Sequence, residues 1–142
     1  HHGCYDLSYL GCIPNLTIMA PSDEIELRNM IKTQANYDQG PTVLRYPRGT
    51  GYGKEVLKND FGYQLSEGDN ELPAAEPLEI GKGRIVRKSD RQGQRKEDRV
   101  AILSLGTRLH ESLTAAKEVE EADAFPKITH YAPREKRRMY KK

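Results

Sequence analysis

The sequence predicts an α/β fold with a parallel sheet, followed by the start of a second α/β unit. Three features of the first part support this: an apolar run at residues 16–20, an amphipathic helical pattern after it, and a β-forming run at residues 42–46. A strand, a helix and a strand at this spacing form a βαβ unit, whose two strands lie parallel. A strand-to-helix pattern recurs after residue 83 and indicates the second unit.

A short helix is predicted over residues 4–10, and Gly11 stands where it can end that helix. Residues 16–20 (LTIMA) are short and mostly apolar, which is typical of a buried strand. Pro21 then ends the strand, since proline cannot continue the ladder of hydrogen bonds.

The helix between the two strands has a clear beginning in the sequence. Ser22 is predicted to cap it, with Asp23 and Glu24 in the first turn, where acids favour the positive end of the helix dipole. Its apolar face continues to about residue 36. The next strand, at residues 42–46 (TVLRY), completes the βαβ unit.

Glycines, prolines and acids dominate the stretch after this unit, and we interpret residues 51–78 as a flexible linker. Two strands are predicted beyond it, at residues 83–87 and 100–105, joined by the charged residues 88–99 as a hairpin loop. A helix with apolar residues at helical spacing follows, and His110 is predicted on its outward face.

Bulk composition limits the classes of function. The chain has 142 residues, 36% of them hydrophobic and 31% charged, and a net charge of +2, too close to neutral to indicate a nucleic-acid partner. Its apolar runs are shorter than the roughly 18 residues that would span a bilayer, so no membrane segment is predicted. Cys4 and Cys12 lack the spacing of a zinc site, and we expect free thiols.

The first candidates for chemistry are His1 and His2. Histidine titrates near neutral pH, so it can transfer protons or donate to a phosphate or hydroxyl group. Paired terminal histidines are also typical of tag residues and exposed loops, and position alone leaves both interpretations open.

Arg48 is the second candidate, in the run RYPRG. Pro47 keeps Tyr46 extended and Gly49 allows a sharp turn, which places Arg48 at the carboxyl end of a parallel strand. Ligands of open α/β sheets bind at that edge, and the planar guanidinium suits a phosphate. A pairing with a surface carboxylate is the alternative.

No metal ligand is predicted, and residues that bind a cofactor are left unassigned. The sequence has no GxxxxGK[ST] loop and no glycine run that opens a helix after a strand. His110 and His130 make no metal-binding set with the other histidines.

Four runs, taken as a set, resemble the 1-deoxy-D-xylulose-5-phosphate synthases, a family of transketolase-like enzymes that use thiamine diphosphate. In chain order they are HHGCYDLSYLGCIPNLTIMAPSDEIELRNMIKTQ, GPTVLRYPRGTG, LEIGKGRIV and VAILSLGT. The resemblance covers residues 1–53 and about 78–123. The HHGxxDLSYL run separates the chain from transketolase and from the pyruvate dehydrogenase first component, which share the fold.

The resemblance implies four segments. Residues 1–50 would be the second half of a transketolase-type pyrimidine-binding domain, and residues 51–78 a flexible linker. Residues 79–129 would start the transketolase C-terminal domain. The basic residues 130–142 are expected to be a disordered tail or an artefact of the gene prediction. Because the sequence begins without methionine, we expect an internal fragment of a longer enzyme.

The resemblance also implies a reaction. This family condenses pyruvate with glyceraldehyde 3-phosphate, releases carbon dioxide and supplies isoprenoid precursors, with thiamine diphosphate and Mg²⁺ as cofactors, as a homodimer. His1 would hydrogen-bond substrate hydroxyls and assist proton transfer as the catalytic histidine, and Arg48 would bind the phosphate of the aldehyde. The family accepts other residues at the position of His2, so we assign it no role.

This sequence departs from the family pattern in three ways. The glutamate that activates thiamine and the motif that binds diphosphate and magnesium are both absent, so we expect no catalysis by this chain alone. Residues 50–77 and 88–99 are longer than in bacterial members, which indicates a eukaryotic, plastid enzyme; a bacterial enzyme would be cytoplasmic. After residue 129 the sequence no longer follows the family.

Two other functions remain possible at this point. One is a related enzyme of the same fold, such as the β-subunit of a 2-oxo acid dehydrogenase. The other is a non-catalytic binding or regulatory protein whose basic tail binds nucleic acid or another anionic surface.

Overall fold

A computed structural model of the chain describes residues 3–66, 72–88, 100–121 and 128–132. Its helices are α1 Asp6–Leu10, α2 Glu24–Ala35, α3 Lys54–Asn59 and α4 Arg108–Glu121. Its strands are β1 Thr17–Met19, β2 Thr42–Leu44, β3 Arg84–Arg87, β4 Val100–Leu103 and β5 Ile128–Ala132. None of the described helices has the length and apolar character needed to cross a membrane.

The first unit is the predicted βαβ arrangement. β1 and β2 pair in parallel, with Thr17 opposite Thr42 and Met19 opposite Leu44. The Arg45 backbone N–H donates to the Met19 carbonyl oxygen at 2.9 Å and extends the pairing by one residue. The carboxyl ends of both strands therefore lie at one edge of the sheet, as the sequence predicts.

The cap of α2 differs from the prediction by one residue. Asp23, not Ser22, is the N-cap: it has an extended backbone, and its Oδ1 accepts from the Glu26 backbone N–H at 2.8 Å. Ser22 lies one residue before the cap, and its hydroxyl donates toward the carboxylates of Asp23 and Glu26. The helix ends at Asn36, its C-cap, as predicted.

The second sheet contradicts the predicted hairpin. Its strand order is β3-β5-β4, with β5 antiparallel to β3 and parallel to β4. β3 and β4 are therefore not neighbours, because the chain crosses over through α4 and inserts β5 between them. β5 also crosses the predicted boundary between residues 129 and 130. Residues 89–99 of the predicted loop and 133–142 of the predicted tail lie outside the described residues.

The core lies where the sequence suggested a linker. One buried cluster contains Ile25 from α2, Leu57 from α3, Phe61 from the residues just after α3, and Leu109 from α4. Leu57 is fully buried. Leu57 and Phe61 belong to the stretch 51–78, which the sequence analysis interpreted as a flexible linker. That interpretation is wrong for α3 and Phe61, which are ordered in the core. A six-residue helix is too short to show a helical period among glycines, which is why the sequence pattern missed α3.

Candidate functional site

The candidate site lies at the carboxyl edge of the β1–β2 sheet. β1 ends at Met19 and leads directly into the beginning of α2, whereas β2 ends at Leu44 and leads into a loop of residues 45–53 that we call the arginine loop. Ligands of α/β proteins bind at this edge because the loops there lie close together and the helices present their N-termini.

Arg48 is exposed in the middle of the arginine loop. Its side chain forms no hydrogen bond or ion pair with another described residue, so the alternative of a surface carboxylate partner finds no support in the described ranges. The loop thus carries a guanidinium group at the edge where the sequence predicts a phosphate. Binding of phosphate by Arg48 stays a prediction.

The arginine loop is attached at its first residue by Arg45. The Arg45 Nε lies 2.5 Å from Asp6 Oδ2, and its Nη2 donates to the Gly3 carbonyl oxygen at 3.0 Å. Asp6 is the first residue of α1, and its side chain is only 14% exposed. These contacts attach the N-terminal segment to the end of β2.

The other end of the loop is attached by Glu24. The Glu24 carboxylate accepts from the backbone N–H groups of Tyr52 at 3.2 Å and Gly53 at 2.8 Å. A Cβ added at Gly51 would lie 2.7 Å from the Glu24 carboxyl carbon, so a side chain there would force the two apart. Gly53 has φ +83°, a left-handed conformation that favours glycine. Glycines therefore allow this close contact.

His1 and His2 lie outside the described residues. Gly3, which follows them in the sequence, is described and is one of the two groups that Arg45 binds. The catalytic role of His1 accordingly stays a prediction, and the structure brings Arg45 and Asp6 together without placing His1.

A buried polar cluster, missed by the sequence interpretation, lies at the beginning of α2. We define it as Ser22, Asp23, Glu26, Tyr63 and Arg84. The Ser22 hydroxyl lies 2.6 Å from Asp23 Oδ2 and 2.8 Å from Glu26 Oε2. Arg84, from β3, places its Nη2 3.3 Å from Asp23 Oδ2 and its Nε 3.9 Å from Glu26 Oε1. The second distance is too long for a hydrogen bond, so that contact is electrostatic.

Tyr63 completes this cluster. Its hydroxyl lies 3.1 and 3.0 Å from the two Asp23 oxygens, and the Arg84 guanidinium lies 4.7 Å from the centre of its ring. Burial, and then the charge of Asp23, raise the pKa of Tyr63 far above its usual value. The hydroxyl therefore stays protonated and donates to Asp23. The sequence indicated Ser22 and Asp23 at the beginning of α2 but gave no signal that Arg84, the first residue of β3, would contact them.

His110 does not face outward, and that prediction is wrong. Its ring centre lies 5.0 Å from that of Tyr52 and 6.0 Å from that of Phe61, on the inner side of α4. The aromatic rings of the core offer more contact area than an exposed helix face, which explains the inward orientation. Burial, and then the charge of Glu111, raise the pKa of the Tyr52 hydroxyl.

A cavity of about 310 Å³ lies at the opposite end of the sheet, between the end of α2 and residues 77–80. It is lined by Thr33, Asn36, Tyr37, Gln39, Pro77, Leu78 and Ile80. Arg48 does not line it, so it is separate from the candidate site. In the ranges that the structure describes, no group of three or more histidine, cysteine, aspartate or glutamate side chains could hold a metal ion.

Comparison with known proteins shows which protein family this chain is similar to. The family model "Transketolase, pyrimidine binding domain" matches residues 1–52. This chain is 40% identical to the 1-deoxy-D-xylulose-5-phosphate synthase of Crocosphaera subtropica and 42% identical to that of Rippkaea orientalis. Each alignment extends over 121 residues, which is 85% of this chain and 16% of the relative. The synthase of Trichormus variabilis is 39% identical over the same length. The chain thus spans about 16% of the length of these curated relatives.

A solved structure described as "split gene transketolase, inactive beta4 tetramer" superimposes with a TM-score of 0.63 and 20% identity, covering 95% of this chain and 36% of that one. At this identity the likeness concerns the fold alone, and it confirms the predicted transketolase-type α/β fold. The alignments with the synthases carry the family assignment. By its sequence, the chain belongs to the 1-deoxy-D-xylulose-5-phosphate synthase family, with a transketolase pyrimidine-binding domain over residues 1–52.

Proposed function

We propose that this chain is the part of a 1-deoxy-D-xylulose-5-phosphate synthase that binds the phosphate of the acceptor aldehyde. The synthase would condense pyruvate with glyceraldehyde 3-phosphate and release carbon dioxide. The observation that carries the proposal is the arginine loop: Arg48 lies between two anchored ends, at the carboxyl edge of a parallel sheet, without a described ion-pair partner.

Anchoring favours phosphate binding for an energetic reason. A free loop loses conformational entropy when a ligand orders it, and this loss reduces affinity. Contacts of Arg45 with Asp6, and of Glu24 with the Tyr52 and Gly53 amides, fix the loop before a ligand arrives. The guanidinium of Arg48 then supplies two parallel N–H donors to a phosphate, an arrangement that a lysine cannot provide.

The remaining roles in this proposal come from the family. His1 would hydrogen-bond substrate hydroxyls and move a proton, because imidazole changes charge near neutral pH. Thiamine diphosphate would supply the electron sink for carbon–carbon bond formation. We propose that its diphosphate group and Mg²⁺ are held by parts of the enzyme other than the described residues, which contain no cluster of side chains that could hold a metal ion. A homodimer, and a plastid location for a eukaryotic source or a cytoplasmic one otherwise, stay predictions.

The test uses the complete synthase that carries this chain, with Arg48→Ala. We expect the KM for glyceraldehyde 3-phosphate to rise by about 10- to 100-fold, since a hydrogen bond to a charged group is worth about 1.5–3 kcal/mol. The KM for pyruvate should stay within about twofold, because pyruvate has no phosphate to lose a contact. Steady-state kinetics with each substrate varied in turn measures both.

Unphosphorylated glyceraldehyde provides the matched control. The kcat/KM for this acceptor should be the same in the Arg48→Ala and unsubstituted enzymes, because glyceraldehyde has no phosphate group for Arg48 to bind. Equal losses with both acceptors would contradict a phosphate contact at Arg48. An unsubstituted protein that uses no aldehyde acceptor but acylates a lipoyl group would instead support the 2-oxo acid dehydrogenase alternative.

A further inference from the structure

Glu24 connects the beginning of α2 with the end of the arginine loop. Its two carboxylate oxygens accept from consecutive backbone amides: Oε2 from the Tyr52 N–H at 3.2 Å and Oε1 from the Gly53 N–H at 2.8 Å. Glu24 is the first residue of α2 and is half-buried. At the other end of the loop, the Arg45 backbone N–H donates to the Met19 carbonyl oxygen. Both ends of the loop are thus attached to the same connection, the one that joins β1 to α2.

The contact requires a carboxylate at this position. Two consecutive N–H groups need two acceptor oxygens, and a carboxylate supplies both. A glutamine of the same shape has one oxygen, and its NH2 group would face an N–H donor. A Cβ at Gly51 would lie 2.7 Å from the Glu24 carboxyl carbon and 2.7 Å from its Oε1, which is too close for any side chain. The residue type at 24 and the missing side chain at 51 therefore serve one contact.

The core fixes the residue at which the loop ends. The Tyr52 ring packs edge-to-face on Phe61, with 5.3 Å between the ring centres, and its hydroxyl lies 3.4 Å from the Thr107 carbonyl oxygen. Glu24 adds the direction from which the backbone arrives, because it orients two successive N–H groups. Residues 46–51 lie between these attachments, so they have fewer conformations than a loop with one free end.

We propose that Glu24 is a positioning residue that gives the site its affinity for a phosphorylated acceptor. It restricts the conformations of residues 46–51, so Arg48 loses less conformational entropy when it binds a phosphate. Glu24 and the phosphate are both anions, so Glu24 does not attract the phosphate directly and acts through Arg48. The inference rests on the proposed phosphate contact of Arg48 and adds a second residue on which acceptor affinity depends.

The test is Glu24→Gln in the complete synthase. We expect the KM for glyceraldehyde 3-phosphate to rise by about 5- to 30-fold, the equivalent of ordering one further residue. The kcat and the KM for pyruvate should stay within about twofold, because the phosphate contact is the same in the ground and transition states. Loss of a negative charge would by itself lower the KM for an anionic acceptor, so a rise cannot be electrostatic in origin.

Two further variants separate the loop contact from other effects of Glu24. Gly51→Ala should raise the same KM while the charge of Glu24 stays in place, because its Cβ displaces the carboxylate from the amides. This variant also keeps the proposal testable if Glu24→Gln does not fold. Glu55→Gln is the matched control, since Glu55 is an exposed acid in the first turn of α3. It should leave the KM unchanged.

The double variant of Glu24→Gln with Arg48→Ala tests whether the two residues act together. We expect its KM for glyceraldehyde 3-phosphate to equal that of Arg48→Ala alone. A rise by the product of the two single effects would show that they are independent and would overturn the role of Glu24, while the proposed function stands. An unchanged KM in both Glu24→Gln and Gly51→Ala, or an equal rise in Glu55→Gln, would overturn it too. An unchanged KM in Arg48→Ala would instead end the proposed function, and this inference with it.

Discussion

Two groups of charged residues lie near the same end of the first sheet, and they differ in exposure. In the buried polar cluster, Asp23 is fully buried and Glu26 almost so, with Arg84 only 20% exposed. At the arginine loop, Arg45 is 43% exposed and Arg48 is exposed. The same residue types therefore lie in two different dielectric environments at one end of the sheet.

The difference indicates which group stabilises the fold and which is available for a ligand. Charges removed from water must be paired, and breaking such a pair is costly. Exposed charges are screened and contribute little to stability, so they can be retained for contacts with a ligand. We therefore expect substitutions in the cluster to change the free energy of unfolding and substitutions in the loop to change kinetics.

The largest effect is expected for Arg84→Met. It leaves the carboxylates of Asp23 and Glu26 buried without their cation, which should lower the free energy of unfolding by about 3–5 kcal/mol. Arg87→Met is the matched control on the same strand, since Arg87 pairs with the single carboxylate of Glu120 and is 35% exposed. Urea denaturation measures both. If Arg84→Met costs no more than Arg87→Met, the cluster is not the stabilising group.

A medium effect is expected for Tyr63→Phe, and it depends on pH. The folded state raises the pKa of Tyr63, so above its usual value of 10.0 the unfolded chain loses this proton and the folded chain keeps it. Stability from this group is therefore complete below about pH 10 and decreases as pH rises further. The phenylalanine variant should lose about 1–2 kcal/mol at pH 8, through the missing hydrogen bond to Asp23.

The Tyr63→Phe variant should also decline less steeply between pH 10 and 11 than the unsubstituted chain, because it has no proton to lose at this position. Denaturation curves at pH 8, 10 and 11 give both slopes. Parallel slopes for the two proteins would show that Tyr63 ionises equally in the folded and unfolded states.

The smallest effect on stability is expected at the loop itself. Arg45→Gln should change the free energy of unfolding by less than about 1 kcal/mol, and Arg48→Ala by less than about 0.5 kcal/mol, because both side chains are well exposed. Thermal and urea denaturation measure these changes. A loss at either position as large as that of Arg84→Met would abolish the distinction between the two groups.

The sequence predicted the features that depend on local order. The βαβ unit, the end of α2 at Asn36 and the position of Arg48 beyond β2 follow from apolar periodicity and from proline and glycine placement. These signals come from neighbouring residues, and the structure matches them because the tertiary contacts favour the same local conformations.

The features that were missed depend on residues far apart in the chain. The order β3-β5-β4 requires a strand that arrives after α4, and Arg84 reaches Asp23 across 61 positions. Leu57 and Phe61 lie in a sequence stretch that has the composition of a linker. They are buried by Ile25 and Leu109, which are distant in the chain. The hydrophobic periodicity of neighbouring residues contains no information about such contacts. Neither the core nor the buried polar cluster could therefore be predicted from sequence patterns alone.

The central place of β5 has a consequence for how the chain acquires its structure during synthesis. β3 and β4 are complete before residues 128–132 have been made, yet each pairs with β5 and not with the other. Until that strand leaves the ribosome, both earlier strands present open edges that other chains can pair with. The pairing of β3 and β4 with β5 can therefore form only after residues 128–132 have been made, so until then the second sheet is the part of a nascent molecule with open strand edges.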